Sequence, residues 1–287
     1  MRYRAVQHQH RQYPVEALCH VLAVSRSGYY AWRVRQPSRR QGENQVLLTA
    51  IRRIHQAVKQ RYGSPRVHRE LLAEGYRCGL NRVARLMQRA GVLAKMTVRF
   101  RSLTKASSRG WAAPHLLNRA FTVARPNAVW AADISYIPTG EGHLYLAVVL
   151  DLHSRLVVGW SMSERLGSTL VMAALQQALD RRKPPAGLLH HSDRDGLYAS
   201  AAYQRLLGEY QIRGSMSRKG NCYDNACVES FFASLKNELV SEERYRNREQ
   251  ARISIFEYIE VFYNRTRRHS TLGYVSPVDF ETRNKHA

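Results

Sequence analysis

The chain has only four cysteines in 287 residues, Cys19, Cys78, Cys222 and Cys227, and no CxxC pair among them. That excludes a disulfide-stapled scaffold and points to reduced thiols. Long apolar runs are also missing. The longest, residues 144–150, falls far short of the roughly 20 residues needed to cross a bilayer. No heptad run is present, so the chain carries no coiled coil of its own. The N-terminus holds Arg2, Arg4, His8, His10 and Arg11 with no apolar stretch behind them, unlike a secretory signal. A cytoplasmic, nucleoid-associated protein with no membrane partner is the expectation. Acids are scarce as well: 22 Asp and Glu face 45 Lys and Arg, a formal net charge of +23. Such a balance calls for a polyanionic partner, nucleic acid first of all.

The excess charge is uneven. Residues 1–125 hold 25 Lys or Arg against four acids, whereas residues 126–287 are close to neutral. The first part reads as a DNA-gripping half, and the second as the half that can keep carboxylates for chemistry. With 44% hydrophobic residues, one or two domains with real cores are expected.

Residues 1–42 read as a basic helical segment, a possible small helix-turn-helix. In it Ser25 caps a helix carrying Tyr29, Tyr30 and Trp32, and Pro37 with residues 38–42 forms a linker. Residues 43–94 read as a three-helix, helix-turn-helix DNA-binding domain. Its first helix carries Val46, Leu47, Ala50, Ile51, Ile54 and Val58 at helical spacing. Ser64 and Pro65 open the second, with Arg66 in its first turn, and Asn81 caps the third. On that third helix Arg82, Arg85 and Arg89 fall on a face apart from Val83, Leu86 and Met87, which suits a major groove and its phosphates. Residues 95–121 lack periodicity and hold Lys95, Arg99, Arg101, Lys105, Arg109 and Arg119, a linker that could follow a DNA backbone.

Residues 122–287 change character. Strands are expected at 129–136, 144–150 and 156–160, joined by short turns into an antiparallel meander. A helix at 168–182, a strand at 188–191, a helix at 200–210, a strand at 212–216 and helices at 225–240 and 248–264 follow. The order is that of an α/β, ribonuclease H-like domain: a five-stranded mixed sheet flanked by helices, here preceded by the all-α region. Ile253, Ile255, Phe256, Ile259 and Phe262 are expected to form one apolar face covering the core.

Phosphodiester chemistry is served by two divalent ions about 3.5–4 Å apart, and hard cations prefer carboxylate oxygens. Asp133 lies inside an apolar strand, where a lone acid would be costly without a cation. Asp193 ends a short apolar strand, and Glu229 lies on a helix. Fifty-nine residues separate the aspartates, and 35 separate Asp193 from Glu229.

With that spacing the chain resembles the retroviral-integrase-like DDE transposases, most closely the second-frame (OrfB-type) product of transposases of insertion-sequence family three. The resemblance rests on Trp130-Ala131-Ala132-Asp133-Ile134-Ser135-Tyr136, His191-Ser192-Asp193, Tyr223-Asp224-Asn225-Ala226 with Glu229-Ser230-Phe231-Phe232, and Tyr263-Asn264-Arg265 with Arg268-His269-Ser270. Val24-Ser25-Arg26-Ser27-Gly28-Tyr29-Tyr30 and Tyr62-Gly63-Ser64-Pro65-Arg66 fit the same pattern. It covers nearly the whole chain.

The resemblance implies a Mg2+-dependent polynucleotidyl transferase that nicks element ends and joins the freed 3′ hydroxyl to DNA. Asp133, Asp193 and Glu229 would be its catalytic, metal-binding triad for two ions, with Mn2+ as a substitute. Double-stranded element ends and target DNA are the implied partners, with a homo-multimer on DNA. An upstream-frame helix-turn-helix and leucine-zipper product is the implied fusion partner. Arg66, Arg82, Arg85, Arg89, Asn225, Lys236, Arg265, Arg268 and His269 are the candidate DNA contacts. One segment departs from the pattern: relatives run Arg-Gly-Ser-Gln-Tyr where this chain has Arg194-Asp195-Gly196-Leu197-Tyr198.

Other chemistries compete. His191, Arg194 and Tyr274 could serve a tyrosine recombinase with a covalent phosphotyrosine. His190, His191, Cys222 and Cys227 could hold zinc, although the cysteine spacing fits poorly. A DNA-binding regulator without catalysis is the remaining alternative.

Overall fold

A computed structural model of the chain describes residues 1–36, 38–95, 113–218 and 222–284. Pro37 and residues 96–112 of the expected basic linker, with Arg99, Arg101, Lys105 and Arg109, lie outside them. The chain forms two compact units, Met1–Leu93 and Ala94–Ala287. Among the described residues no helix is long and apolar enough to cross a membrane.

The first unit is all helix. α1 (Arg2–Gln9), α2 (Val15–Val21) and α3 (Arg26–Val34) share a small core of Val6, Cys19 and Tyr29. Ser25 caps α3 as expected, its hydroxyl accepting the Gly28 N–H at 3.0 Å. Arg39 to Gly42 are not a linker. Ser38 and Gln41 close a reciprocal capping box, so α4 (Arg39–Ala57) already begins there. Its buried face is Leu47, Ala50, Ile51 and Ile54, packed with Val67 and Leu71 of α5 (Ser64–Ala73) and Val83 and Met87 of α6 (Leu80–Arg89). The two expected side-chain caps are displaced. Gly63 and Gly79, both extended, precede the first helical residues, so Ser64 and Asn81 fall inside the first turns.

The second unit is built on a sheet with strand order β3-β2-β1-β4-β5. β1 (Val129–Thr139), β2 (Gly142–Asp151) and β3 (Val157–Ser163) are antiparallel, while β4 (Leu189–Ser192) and β5 (Arg213–Met216) run parallel to β1 and to one another. α7 (Ser168–Arg182) and α8 (Ala201–Glu209) make the crossovers. This is the expected ribonuclease H-like arrangement. α7 seals one face with Leu170, Val171, Ala174, Leu175 and Ala178 against Trp130, Ala132, Ala147 and Val149. Gly159 permits that approach, since a Cβ there would run into the Ala174 carbonyl and Ala178. The strand alternation sends Ala131, Asp133, Ser135 and Ile137 to the opposite face, where α9 (Ala226–Leu235) contacts β1.

The two long C-terminal helices differ from the regular helices expected. α9 continues into a π-helical turn, Lys236–Val240, and α10 (Arg248–Phe256) into another, Glu257–Tyr263. The two turns meet where the Tyr258 hydroxyl donates to Glu238 at 2.9 Å. The expected single apolar face also divides: Ile255, Ile259 and Phe262 are buried, whereas Ile253 and Phe256 are exposed. Residues two apart on a helix do not share a face, so Ile253 and Ile255 part company. α11 (Pro277–Asn284) is tied to α7 through Arg182, which donates to both Glu281 oxygens at 2.8 and 2.9 Å.

Candidate active site

Asp133 sits in the middle of β1, opposite Val148 of β2. On its other side β1 pairs in parallel with β4, Ala131 against His191. The pairing ends there; Asp133 lies two residues beyond it on β1, and Asp193 lies two residues beyond it on the chain leaving β4. Asp193 is the first residue past the carboxyl end of β4, and Asp133 lies on β1 just beyond its parallel pairing with β4, where it still pairs with β2. That is the crevice in which α/β sheets bind ligands.

The third acid is brought in by a tether. Asn225, at the start of α9, donates its side-chain amide to the Ala132 carbonyl at 3.1 Å, beside Asp133. Glu229 follows one turn later on the same face. Asn225, expected as a DNA contact, is 4% exposed, and its side-chain nitrogen is engaged with β1. Asp224, just before it, is fully buried and gathers Arg218 at 2.9 and 3.0 Å and Arg119 at 2.9 Å. These guanidiniums hold its carboxyl well below the usual range, against the opposing effect of burial. Arg119, expected to follow a DNA backbone, is therefore engaged within the fold. Sequence reasoning missed Asp224 as an anchor. Its partners lie up to 105 residues away, and the only local signal is an acid next to Asn225.

Electrostatics tie the acids together. Burial pushes the Asp133 carboxyl well above its ordinary value, and the charges of Asp193, Glu229 and Asp195 add to that; the Ile134 N–H, 2.8 Å from Oδ1, opposes them. Asp193 is pushed up to about 6 by burial and by Asp195, against the Asp195 backbone N–H that it accepts at 3.0 Å. Glu229 is raised by partial burial and by Asp193. Lys236 stands 5.5 Å from the Tyr136 ring centroid; burial lowers its ammonium, and Asp133 raises it. Asp133, Asp193 and Glu229, each raised by burial and by a neighbouring carboxylate, are a donor set suited to hard divalent cations. Among the described residues, no three His, Cys, Asp or Glu side chains close on one point as a ready-made metal cage.

The remaining candidates disperse. Arg66 stacks on the Tyr62 ring at 5.7 Å, and Arg82 is held by Asn44 at 2.8 Å and Glu43 at 3.3 Å, which ties α6 to α4. Arg85 and Arg89 are exposed on α6, and Arg265 is exposed beyond the second π turn. Arg268 donates to the Tyr274 carbonyl at 2.8 Å. His269 is no surface contact: it is 8% exposed, with its ring edge-on to Tyr263 at 4.7 Å. The competing chemistries lose their residues too. His191 is buried between Ser215 and Ser217, and Arg194 donates to the Ser217 carbonyl at 2.7 Å, so no open His and Arg pair awaits a phosphotyrosine. His190 is fully buried, its pKa pushed down to about 3 by burial, and its Nε2 is engaged with the Tyr203 hydroxyl at 3.0 Å rather than open to a metal.

Comparison with known proteins follows the same outline. A family model described as an integrase core domain matches residues 123–222, a second of that description matches residues 229–284, and an HTH-like domain matches residues 42–100. The transposase InsF for insertion sequence IS3A of Escherichia coli K12 is 46% identical over 290 residues, covering 99% of each chain. A 31 kDa protein of insertion element IS600 from Shigella sonnei is 44% identical, over 92% of this chain and 97% of its own. Among solved structures, the simian T-cell lymphotropic virus intasome in complex with the PP2A regulatory subunit B56 gamma overlaps 80% of this chain and 73% of that one, at 14% identity and TM-score 0.47. The HTLV-2 integrase catalytic core domain in complex with magnesium overlaps 54% of this chain and 97% of that one, at 18% identity and TM-score 0.41.

Proposed function

The chain belongs to the transposases of insertion sequence IS3 and its relatives, and from that premise we propose that Asp133, Asp193 and Glu229 are the carboxylates at which it cleaves and rejoins DNA strands. It is a transposase with an integrase-type core, an enzyme of DNA transposition. The reading of the triad is supported by one arrangement: each aspartate lies two residues past the β1–β4 pairing of Ala131 with His191, and Asn225 fastens the start of the Glu229 helix to β1.

Bound at these acids, a pair of divalent ions, Mg2+ or Mn2+ in its place, would supply Lewis-acid polarisation of the scissile phosphate and an attacking oxygen active near neutral pH. The protein's share is placement. β1 carries Asp133, the end of β4 leads directly into Asp193, and α9 carries Glu229. Lys236, over the Tyr136 ring and under the influence of Asp133, would meet a DNA phosphate. Water, and then the freed 3′ hydroxyl, attacks phosphorus in line and displaces the 3′ oxygen, with no protein-bound intermediate. Element ends and target DNA are the substrates, gripped in part by Arg85, Arg89 and Arg265. A homo-multimer and an upstream-frame fusion partner complete the proposal.

The test is strand cleavage of an element-end duplex with Mg2+ or Mn2+, wild type against Glu229→Gln. The expected result is a nick and a joined product from wild type only, both free of attached protein. Equal binding with no nick from either would return the chain to a DNA-binding regulator. A second expectation concerns α6. Arg85→Ala and Arg89→Ala should each weaken DNA binding across sequences alike and lower the slope of log affinity against log salt by about 1. A titration series in salt reads this; a slope that stays put would remove α6 from the phosphate contacts.

A further inference from the structure

Tyr223 is 68% exposed, a large ring standing in solvent on the short 3-10 turn Cys222–Asn225 that leads into α9. Exposure alone would say little, since single apolar side chains are common at surfaces. This ring is different because it is held. The Arg119 guanidinium lies over it, 5.8 Å from the centroid, within the range of a cation–π contact. Arg119 is fixed in turn by its Nε, which donates to the buried Asp224 carboxylate at 2.9 Å. Arg218 donates to the same carboxylate through Nε at 3.0 Å and Nη2 at 2.9 Å. The backbone that delivers Arg119 is strained. Asn118 and Arg119 are both left-handed, at φ +47° and +58°, a conformation that persists only where the surroundings hold it and that gathers at ligand clamps.

The cluster stands beside the strand that carries Asp133. Tyr223 is two residues before Asn225, so their Cα atoms are no more than about 7 Å apart. The Asn225 amide reaches the Ala132 carbonyl, next to Asp133, at 3.1 Å. Arg119 and Arg218 keep 45% and 53% of their side chains in solvent, and with one carboxylate between them they carry a net positive charge. A stacking surface beside guanidiniums is the combination with which proteins hold unpaired nucleotides, because every base has a π face and every phosphate attracts a cation. A base inside a duplex is stacked on both sides and offers no free face.

We infer that Tyr223 is the stacking platform for one unpaired base next to the scissile phosphate, with Arg119 and Arg218 meeting the phosphate of that nucleotide. The duplex is thus opened where it enters the site, and the exposed ring takes the base that leaves the stack. The inference rests on the reading of Asp133, Asp193 and Glu229 as the place of cleavage.

Binding of the full chain to two element-end duplexes, without divalent ion, tests this apart from cleavage. One duplex is paired throughout; the other is mismatched at the cleavage position and carries there a fluorescent purine analogue that stacking dims. Wild type should prefer the mismatched duplex and dim the probe. Tyr223→Ala should weaken binding to that duplex about tenfold and leave the probe bright, with binding to the paired duplex as in wild type. Tyr223→Phe, which keeps the ring, should behave as wild type. A side chain this exposed is no part of the core, so both variants should melt at the wild-type temperature. Equal affinity of wild type and Tyr223→Ala for the mismatched duplex overturns the inference, and so does an equal loss on both duplexes. Failure of the underlying reading shows elsewhere, as undiminished cleavage by Glu229→Gln.

Discussion

Asp193→Asn is expected to lower strand cleavage on the order of a thousandfold or more while making the metal-free protein more stable. The two effects share one cause. In the folded chain the Asp193 carboxyl is pushed up to about 6 from 3.8, by burial first and then by the Asp195 charge. Between those pH values the folded state holds more protons than the unfolded one, so stability falls as pH rises. The favourable contribution is complete below about pH 4 and gone above about pH 6. At 1.36 kcal/mol per pKa unit, and with part of the shift screened by solvent at this half-buried side chain, the loss is about 1–3 kcal/mol. Asn carries no proton to lose, so its advantage over wild type in urea denaturation should grow from pH 4 to pH 6 and then level off. Divalent cation reverses the order, because the ion requires ionised carboxylates and binds wild type more tightly as pH rises through 6. A wild-type and variant pair whose stabilities differ equally at pH 4 and pH 7 would contradict this account.

Arg267→Ala is expected to destabilise the chain by about 3–5 kcal/mol, the cost of leaving a buried charge without its partner. Arg267 is 4% exposed and makes its ion pair with Glu238, itself 7% exposed, through Nε at 2.9 and 3.0 Å and Nη2 at 2.6 Å. The same guanidinium donates to Ser234 at 3.0 Å, and Tyr258 donates to Glu238 at 2.9 Å, so α9, both π turns and the chain after them are fastened at one place. Chemical denaturation of the full chain measures the loss. The paired change Arg267→Met with Glu238→Gln should recover much of it, since two neutral groups of similar shape remove the orphaned charge. A loss within about 0.5 kcal/mol, the size typical of exposed sites, would mean that the pair does not hold the helices together.

Arg267 also shows why the basic run at 265–269 cannot be read as one surface. Arg265 is exposed, Arg267 is the centre of a buried network, and His269 is packed on Tyr263. In sequence the three are alternate basic residues. Their fates separate only because Glu238, 29 positions upstream, is folded against Arg267. Asn225 is a parallel case. Its position one turn before Glu229 is visible in the sequence, but the Ala132 carbonyl that claims its amide is 93 residues away.

What could be read along the chain was whatever depends on neighbours: the apolar period that makes α7 run from Ser168 to Arg182, the alternating strands β1 to β3, and the order of elements around the sheet. The proposed triad could be picked out for a different reason, since its intervals of 59 and 35 residues are those of the family the chain resembles. Tertiary structure alone decided which polar side chains turn inward. It set Asp224 between Arg119 and Arg218, drew Arg82 to Glu43, and gave the Asn225 amide to the Ala132 carbonyl. A backbone's local preference is settled within a few residues, whereas the free energy of a polar group depends on which distant charge or donor folding brings to it.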